Sequence, residues 1–167
     1  RDRHLGDRKA SPLLIYDLGS CEVSGGSYRP LFDLPPWRYR GIDLAPGKNV
    51  DVVLRDPYHW REIPPDSADA VVSGQALEHV EFFWLVVLEI WRILKPGGLC
   101  CIIAPSGGPE HRYPVDCWRF SPTGCGFWRG TPRSRSWRFT GSRGRPAIPT
   151  EATSGRMPFW RAESPPF

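Results

Sequence analysis

The chain contains the segment LLIYDLGS at residues 13–20, an apolar run that leads into an acid, a glycine and a serine. A short, continuously apolar run bounded by turn residues is typical of a strand buried on both faces of a parallel sheet. Segments of similar character follow at Tyr39–Asp43, Val50–Leu54, Ala68–Ser73 and Leu99–Ala104. We therefore predict a mostly parallel sheet of about five strands.

One clear helix lies between the fourth and fifth predicted strands. Residues 81–94 are apolar almost all round, and their polar members together with Lys95 fall within an arc of about 120° at 100° per residue. This pattern predicts a largely buried helix with a narrow polar stripe and with Trp84 and Trp91 in the core. Lys95-Pro96-Gly97-Gly98 is expected to end it. A shorter helix is predicted within Ser27–Asp33, and strands alternating with crossovers indicate a three-layer α/β sandwich.

The charge of the 167-residue chain is divided unevenly. Residues 1–120 carry 14 Lys and Arg against 16 Asp and Glu, whereas residues 121–167 carry eight Arg, no Lys and two Glu. The second segment also lacks Leu and Val, so it cannot build a core by itself. We expect an N-terminal extension at 1–11, a folded domain at 12–120 and a disordered tail at 121–167. The tail's composition is also typical of out-of-frame translation of GC-rich DNA, which is a second hypothesis for its origin.

Several protein classes are disfavoured by composition. The longest apolar run, Phe82–Leu88, is too short to span a bilayer, and the charged N-terminus leads into no secretory signal. The five cysteines are odd in number, and none forms a C-x-x-C pair, which argues against a disulfide framework and a zinc site. We expect a cytoplasmic protein that has no membrane contact and no bound metal.

Acidic residues stand at the ends of three successive predicted strands: Asp17, Asp43 and Asp56. Ligands of open parallel sheets bind beyond the carboxyl ends of the strands, where these acids would converge. Asp17, two residues before Gly19, suits an ammonium or sulfonium group; Asp43 suits two ribose hydroxyls, and Asp56 suits an exocyclic amine. Each acid alone has an alternative interpretation as a turn or cap residue, but together they favour a cationic nucleoside ligand.

These segments together resemble the class I S-adenosylmethionine-dependent methyltransferases, in particular the type 11 methyltransferase-domain group. The matching motifs are IYDLGS at 15–20, YRGIDL at 39–44, DSADAVVS at 66–73, ALEHV at 76–80, EIWRILKPGG at 89–98 and IIAPS at 102–106. The resemblance covers about residues 12–120. It implies a Rossmann-like fold, S-adenosyl-L-methionine as cofactor, and methyl transfer to an acceptor that we expect to be a small molecule.

The resemblance also implies a set of site residues. The implied cofactor contacts are Asp17, Gly19, Ser20, Asp43, Leu44, Asp56, Ser73, Gly74 and Gln75. Glu78 and His79 would lie at the mouth where the acceptor enters. His79 is our candidate for the base that takes the acceptor's proton, because a neutral imidazole titrates near the working pH, and His111 is the alternative. Each histidine has a purely structural interpretation as well.

The chain departs from the family pattern in three places. Cys21 occupies the position of the second motif glycine, where its side chain could crowd the cofactor and any positive φ would cost on the order of 1 kcal/mol. We expect the usual helix before the first strand to be missing, because only about a dozen residues precede that strand. Nothing after Phe120 indicates the family's sixth and seventh strands, so Leu99–Ala104 would be an aggregation-prone edge unless something covers it.

Two alternatives to an active methyltransferase remain open. The chain could be a truncated and catalytically silent homologue that no longer binds cofactor. The tail, which combines Arg with Trp, could instead be a nucleic-acid-binding arm, although it carries no RNA-binding signature. The sequence does not determine the acceptor atom or the oligomeric state.

Overall fold

The computed structural model describes residues 5–23 and 25–121, together with the backbone of residues 136–141. Six parallel strands form one sheet in the order β3-β2-β1-β4-β5-β6. The strands are β1 Leu14–Leu18, β2 Arg38–Asp43, β3 Val52–Val53, β4 Ala68–Gly74, β5 Leu94–Ala104 and β6 Ser136–Gly141. The helices are α1 Arg29–Phe32 and α2 Phe83–Ile93, with single 3-10 turns at Gly6–Arg8 and Leu77–His79.

The five predicted strands are confirmed, with two changes of length. β3 has only two residues, whereas β5 begins five residues earlier than predicted. Leu94 pairs with Ala68 and Leu99 pairs with Ala70, so the register shifts between these two pairs. The Lys95–Gly98 segment that was expected only to end the helix therefore continues as an irregular first part of the strand.

Residues 136–141 form a strand that the sequence analysis did not predict, and the described residues contain no antiparallel strand pair. β6 lies parallel to β5, with Ser136 opposite Leu99 and Gly141 opposite Ala104. β6 thus covers the backbone edge that would otherwise present unpaired hydrogen-bonding groups. The rest of the predicted tail, including its expected disorder and the reading-frame hypothesis, lies outside the described residues.

The core consists of two apolar clusters, one on each face of the sheet. Successive side chains of a strand point to opposite faces. Tyr16 and Leu18 of β1 accordingly pack in the cluster that includes Ile90 of α2, while Ile15 packs in the cluster that includes Phe32 of α1. This arrangement confirms the Rossmann-like sandwich and leaves the carboxyl ends of the strands free for ligand binding.

α2 is shorter than predicted, and its exposed face differs from the predicted one. Leu88 is 62% exposed and Trp84 is 41% exposed, so the assignment of Trp84 to the core was wrong. Glu89 is buried instead, because its carboxylate accepts hydrogen bonds from the Trp60 backbone N–H at 2.8 Å and from Arg92. Among the described residues, no helix combines the length and apolar character needed to cross a membrane.

Candidate functional site

A cavity of about 640 Å³ opens at the carboxyl ends of β1, β2 and β4. Its volume lies within the range of small-molecule sites, and its position is the crevice where open parallel sheets bind ligands. Leu54, Trp60 and Val86 contribute apolar walls. Its polar and charged lining residues include Asp43, Gln75, His79 and Arg112.

Asp43, the last residue of β2, lines the cavity with a carboxylate that is held in place by backbone donors. Its Oδ1 accepts hydrogen bonds from the N–H groups of Leu44 at 2.7 Å and Ala45 at 3.3 Å, and its Oδ2 accepts one from Cys21 at 3.0 Å. A carboxylate oxygen has two lone pairs, so Oδ2 can accept a further hydrogen bond from a ligand hydroxyl. Leu44 also lines the cavity and is 53% exposed.

Cys21 lines the same cavity without the backbone strain that its position suggested. Its φ is not positive, so the expected cost of replacing the motif glycine does not arise. Its sulfur lies against Gly47, where an added Cβ would be only 2.5 Å from Sγ. The thiol is therefore accommodated because the turn after β2 has no side chain at Gly47.

The predicted glycines let neighbouring side chains approach the backbone closely near the ends of β1 and β4. Gly19 has φ +75°, and an added Cβ would lie 2.5 Å from the Cβ of Ala76. Gly74 leaves room for Tyr28, whose Oη would collide with an added Cβ. Gly19 and Gln75 line the cavity, whereas Gly74 does not.

The two predicted serines use their hydroxyls for internal hydrogen bonds and do not line the cavity. Ser20 Oγ donates to the backbone carbonyl of Asn49 at 3.2 Å, and Ser73 Oγ donates to that of Leu18 at 3.1 Å. Both residues are buried. Ser20 thus joins the loops that follow β1 and β2, and Ser73 joins β4 to β1. Direct contact of either serine with a cofactor stays a prediction.

Asp17 and Asp56 also lie outside the cavity lining. Asp17 is 3% exposed and accepts a hydrogen bond from the Tyr39 hydroxyl at 2.5 Å, while Asn49 Nδ2 donates to that hydroxyl at 3.0 Å. Burial raises the pKa of Asp17 to about 6, although the Tyr39 hydrogen bond acts to lower it. Asp56 is exposed and accepts from the Tyr58 N–H at 2.7 Å, as its interpretation as a turn residue predicts.

The structure brings the two candidate catalytic histidines together. The ring centroids of His79 and His111 are 5.0 Å apart in an edge-to-face arrangement, and His79 lines the cavity. His79 Nδ1 lies 2.6 Å from the carbonyl oxygen of Val115. Because a carbonyl only accepts, Nδ1 carries the proton, and the neutral ring then has its lone pair on Nε2.

Glu78 lies beneath the cavity rather than at its mouth. The residue is fully buried, and neither carboxylate oxygen accepts a hydrogen bond from any residue that the structure describes. Its Oε1 is 3.9 Å from His79 Nε2. Burial raises the pKa of Glu78 above its ordinary value, and the nearby imidazoles of His79 and His111 oppose the shift.

The segment 105–121 adds cavity residues that were not among the predicted site residues: Arg112, Tyr113 and Pro114. The segment is anchored by hydrogen bonds from the Cys117 N–H to the Glu78 carbonyl at 2.7 Å and from the Phe120 N–H to the Pro105 carbonyl at 2.8 Å. Its place directly after the fifth strand is the signal that could have identified these residues, because that strand ends at the ligand-binding edge.

Comparison with known proteins identifies a family and structural relatives. A family model described as a methyltransferase domain matches residues 17–102, slightly more than half of the chain. A solved structure, described as a complex between the Haloferax volcanii Trm112 methyltransferase activator and a candidate methyltransferase, is 26% identical with a TM-score of 0.40. The match covers 58% of this chain and 50% of that chain, so the chain spans half the length of this relative. No curated protein matches.

Proposed function

The chain belongs to the methyltransferase-domain family, and we propose that its cavity binds S-adenosyl-L-methionine and directs methyl transfer to a small-molecule acceptor. The observation that carries this proposal is the position of Asp43. Its carboxylate is fixed by three backbone N–H groups at the end of β2 and lines a cavity of about 640 Å³. An acid at the end of the second strand suits the two hydroxyls of a ribose.

Other cavity residues fit the remaining parts of this cofactor. Leu44 offers an exposed apolar side chain beside Asp43, where a purine ring would pack. Gly19 lets the backbone after β1 approach the ligand closely, since it has no Cβ. The bound cofactor would supply an electrophilic methyl group on a sulfonium, and the apolar wall that includes Leu54 and Trp60 would exclude water from it.

The acceptor side of the proposed site is formed by His79 and the segment 105–121. The lone pair on His79 Nε2 can accept the proton of a hydroxyl or amine acceptor. His111 packs against the His79 ring and limits its rotation. Tyr113 completes this side of the cavity and is 65% exposed, so its ring is free to contact an acceptor.

Asp17 acts in this proposal as a positioning residue. The Tyr39 hydroxyl occupies its Oδ2, and Asn49 in turn donates to Tyr39. This chain of hydrogen bonds links β1 to β2 and to the turn after β2, and so supports the loop that follows Asp17. A direct contact between Asp17 and the methionine end of the cofactor would require its side chain to reach the cavity from a position outside the lining.

Calorimetric titration with S-adenosyl-L-methionine tests the proposal. We expect saturable binding, and Asp43→Asn should weaken it by about 10- to 150-fold, the equivalent of about 1.5–3 kcal/mol for charge-assisted hydrogen bonds. Asp7→Asn is the charge-matched control, because Asp7 is exposed and precedes β1 on the amino side. Absence of binding by the unmodified chain at millimolar cofactor would refute the proposal and favour a catalytically silent homologue.

A further inference from the structure

A second feature of the site is a group of three potential metal ligands beside the cavity. One ligand atom from each of Glu78, His79 and His111 lies within 4.8 Å of the other two. Two imidazole nitrogens and one carboxylate oxygen form a donor set that suits divalent transition metals, whereas Mg²⁺ and Ca²⁺ prefer oxygen ligands alone. We infer that these three residues form a binding site for a divalent transition metal ion such as Zn²⁺.

The carboxylate of Glu78 is the first argument for a cation. A fully buried ionised carboxylate without hydrogen bonds is strongly disfavoured unless a positive charge compensates it. Glu78 is fully buried, and neither of its oxygens has a hydrogen-bond partner among the described residues. Its Oε1 faces the Nε2 of His79 at 3.9 Å. Arg119 is close enough for the Glu78 charge to act on its pKa, but its guanidinium donates to Asp116 and to the Trp118 and Pro109 carbonyls and not to Glu78.

The hydrogen bonds of the two histidines are the second argument. Histidines that bind metals usually donate their other ring N–H to a carbonyl or carboxylate, which fixes the free nitrogen toward the metal. The Nδ1 of His79 has such a partner in the Val115 carbonyl at 2.6 Å. The Nδ1 of His111 lies 3.4 Å from both the Asp116 Oδ2 and the Pro109 carbonyl oxygen. Both rings therefore have acceptors at Nδ1, and each Nε2 is left with a lone pair.

The separation of Glu78 and His79 requires only a small movement. Two ligands at about 2.1 Å from a tetrahedral Zn²⁺ are separated by about 3.4 Å. Glu78 Oε1 and His79 Nε2 are 3.9 Å apart, so an ion between them needs each side chain to move by less than half an ångström. His111 has the greatest freedom to adjust, because 41% of its side chain is exposed.

If the chain transfers a methyl group as proposed, the inferred metal also bears on which kind of acceptor it uses. A site with three protein ligands leaves a fourth position open, as catalytic metal sites do. Because His79 lines the cavity, this position faces the acceptor side of the site. With the metal bound, His79 Nε2 is a ligand and no longer the proton acceptor. A hydroxyl acceptor bound at the open position would instead lose its proton to solvent more readily, since coordination lowers its pKa. The site therefore favours an oxygen acceptor.

Zinc uptake by the EDTA-stripped full chain tests this inference through equilibrium dialysis against ZnCl2, with MgCl2 in a parallel arm. We expect the unmodified chain to bind one more zinc ion than either His111→Ala or Glu78→Gln, or to bind that ion at least tenfold more tightly. His59→Ala is the matched control, because His59 is exposed and does not line the cavity. The exposed thiols of Cys101 and Cys117 can also bind zinc, so the difference between variants is the readout.

Equal zinc uptake by the unmodified chain and His111→Ala would overturn the inference, as would equal occupancy by Mg²⁺. His111→Ala keeps the test decisive if Glu78→Gln does not fold, because the His111 side chain is largely at the surface. Titration with S-adenosyl-L-methionine in EDTA separates the two proposals. If the chain binds the cofactor but the variants take up as much zinc as the unmodified chain, the metal inference fails and the proposed function stands. If the variants take up less zinc but the chain does not bind the cofactor, only the proposed function is refuted.

Discussion

Replacement of Asp17 by asparagine should stabilise the protein near neutral pH. Asp17 is buried, and its pKa in the folded state is about 6, compared with about 3.9 in an unfolded chain. The folded state therefore holds the proton more tightly, and its stability falls as the pH rises from about 4 to above 6. Two pKa units correspond to about 3 kcal/mol. The amide oxygen of the substituted side chain would still accept the Tyr39 hydrogen bond, but the side chain would have no charge to bury.

Urea unfolding of both proteins between pH 4 and pH 8 measures this effect. The free energy of unfolding of Asp17→Asn should exceed that of the unmodified chain by up to about 3 kcal/mol at pH 8, which is a midpoint shift of about 1.5 M urea if the slope is about 2 kcal/mol/M. The two values should converge at pH 4. Asp7→Asn should follow the unmodified chain at every pH, since Asp7 is exposed. Parallel pH curves for Asp17→Asn and the unmodified chain would show that the buried carboxyl is not the titrating group.

Three further substitutions probe the fold by denaturant unfolding. Gly19→Ala should lower the free energy of unfolding by about 1–3 kcal/mol, because Gly19 has a positive φ and a new Cβ would make a short contact. Gly6→Ala is the control and should change stability little, because there is open space around Gly6. Equal effects of the two substitutions would contradict this reasoning. Ile90→Ala should lower the free energy of unfolding by about 2–5 kcal/mol and Leu88→Ala by less than about 0.5 kcal/mol, because only Ile90 is buried. A larger loss for Leu88→Ala than for Ile90→Ala would refute the assignment of the buried face of α2. Glu89→Gln should cost about 1–3 kcal/mol at pH 7. Burial acts to raise the pKa of Glu89, but its hydrogen bonds outweigh burial and lower the pKa. The stabilisation by the charged carboxylate therefore exists above about pH 4.3 and is lost at lower pH. If Glu89→Gln still lowers the free energy of unfolding at pH 3, the charge is not the source of the effect.

The central strands could be predicted from the sequence because each is a continuous apolar run between turn residues. Ile15, Val71 and Ile102 are all buried, as strands covered on both faces require. β6 could not be predicted in the same way. Its sequence, SWRFTG, contains β-forming residues but stands among Arg, Pro and Gly, and has no aliphatic side chain that would indicate a core position.

The candidate site could be predicted only in part. The position of Asp43 followed from its place at the end of the second strand, since all strands of a parallel sheet end at one edge. The burial of Glu78 could not be predicted from the residue type, because unpaired carboxylates are rarely buried. The proximity of His79 and His111 depends on how the segment 105–121 folds back to the backbone of Glu78, and no local pattern specifies this contact.

The pairing of β6 with β5 means that β5 is synthesised before the strand that covers its outer edge. The 31 residues between Ala104 and Ser136 must be synthesised before β6 can pair. At about 5–20 residues per second this takes roughly 2–6 s. During that time the apolar Leu99–Ala104 segment has no partner on one side. The nascent chain should therefore be prone to intermolecular strand pairing in this interval, as it is during the synthesis of the 49 residues between Leu18 and Ala68, when β1 has not yet met β4.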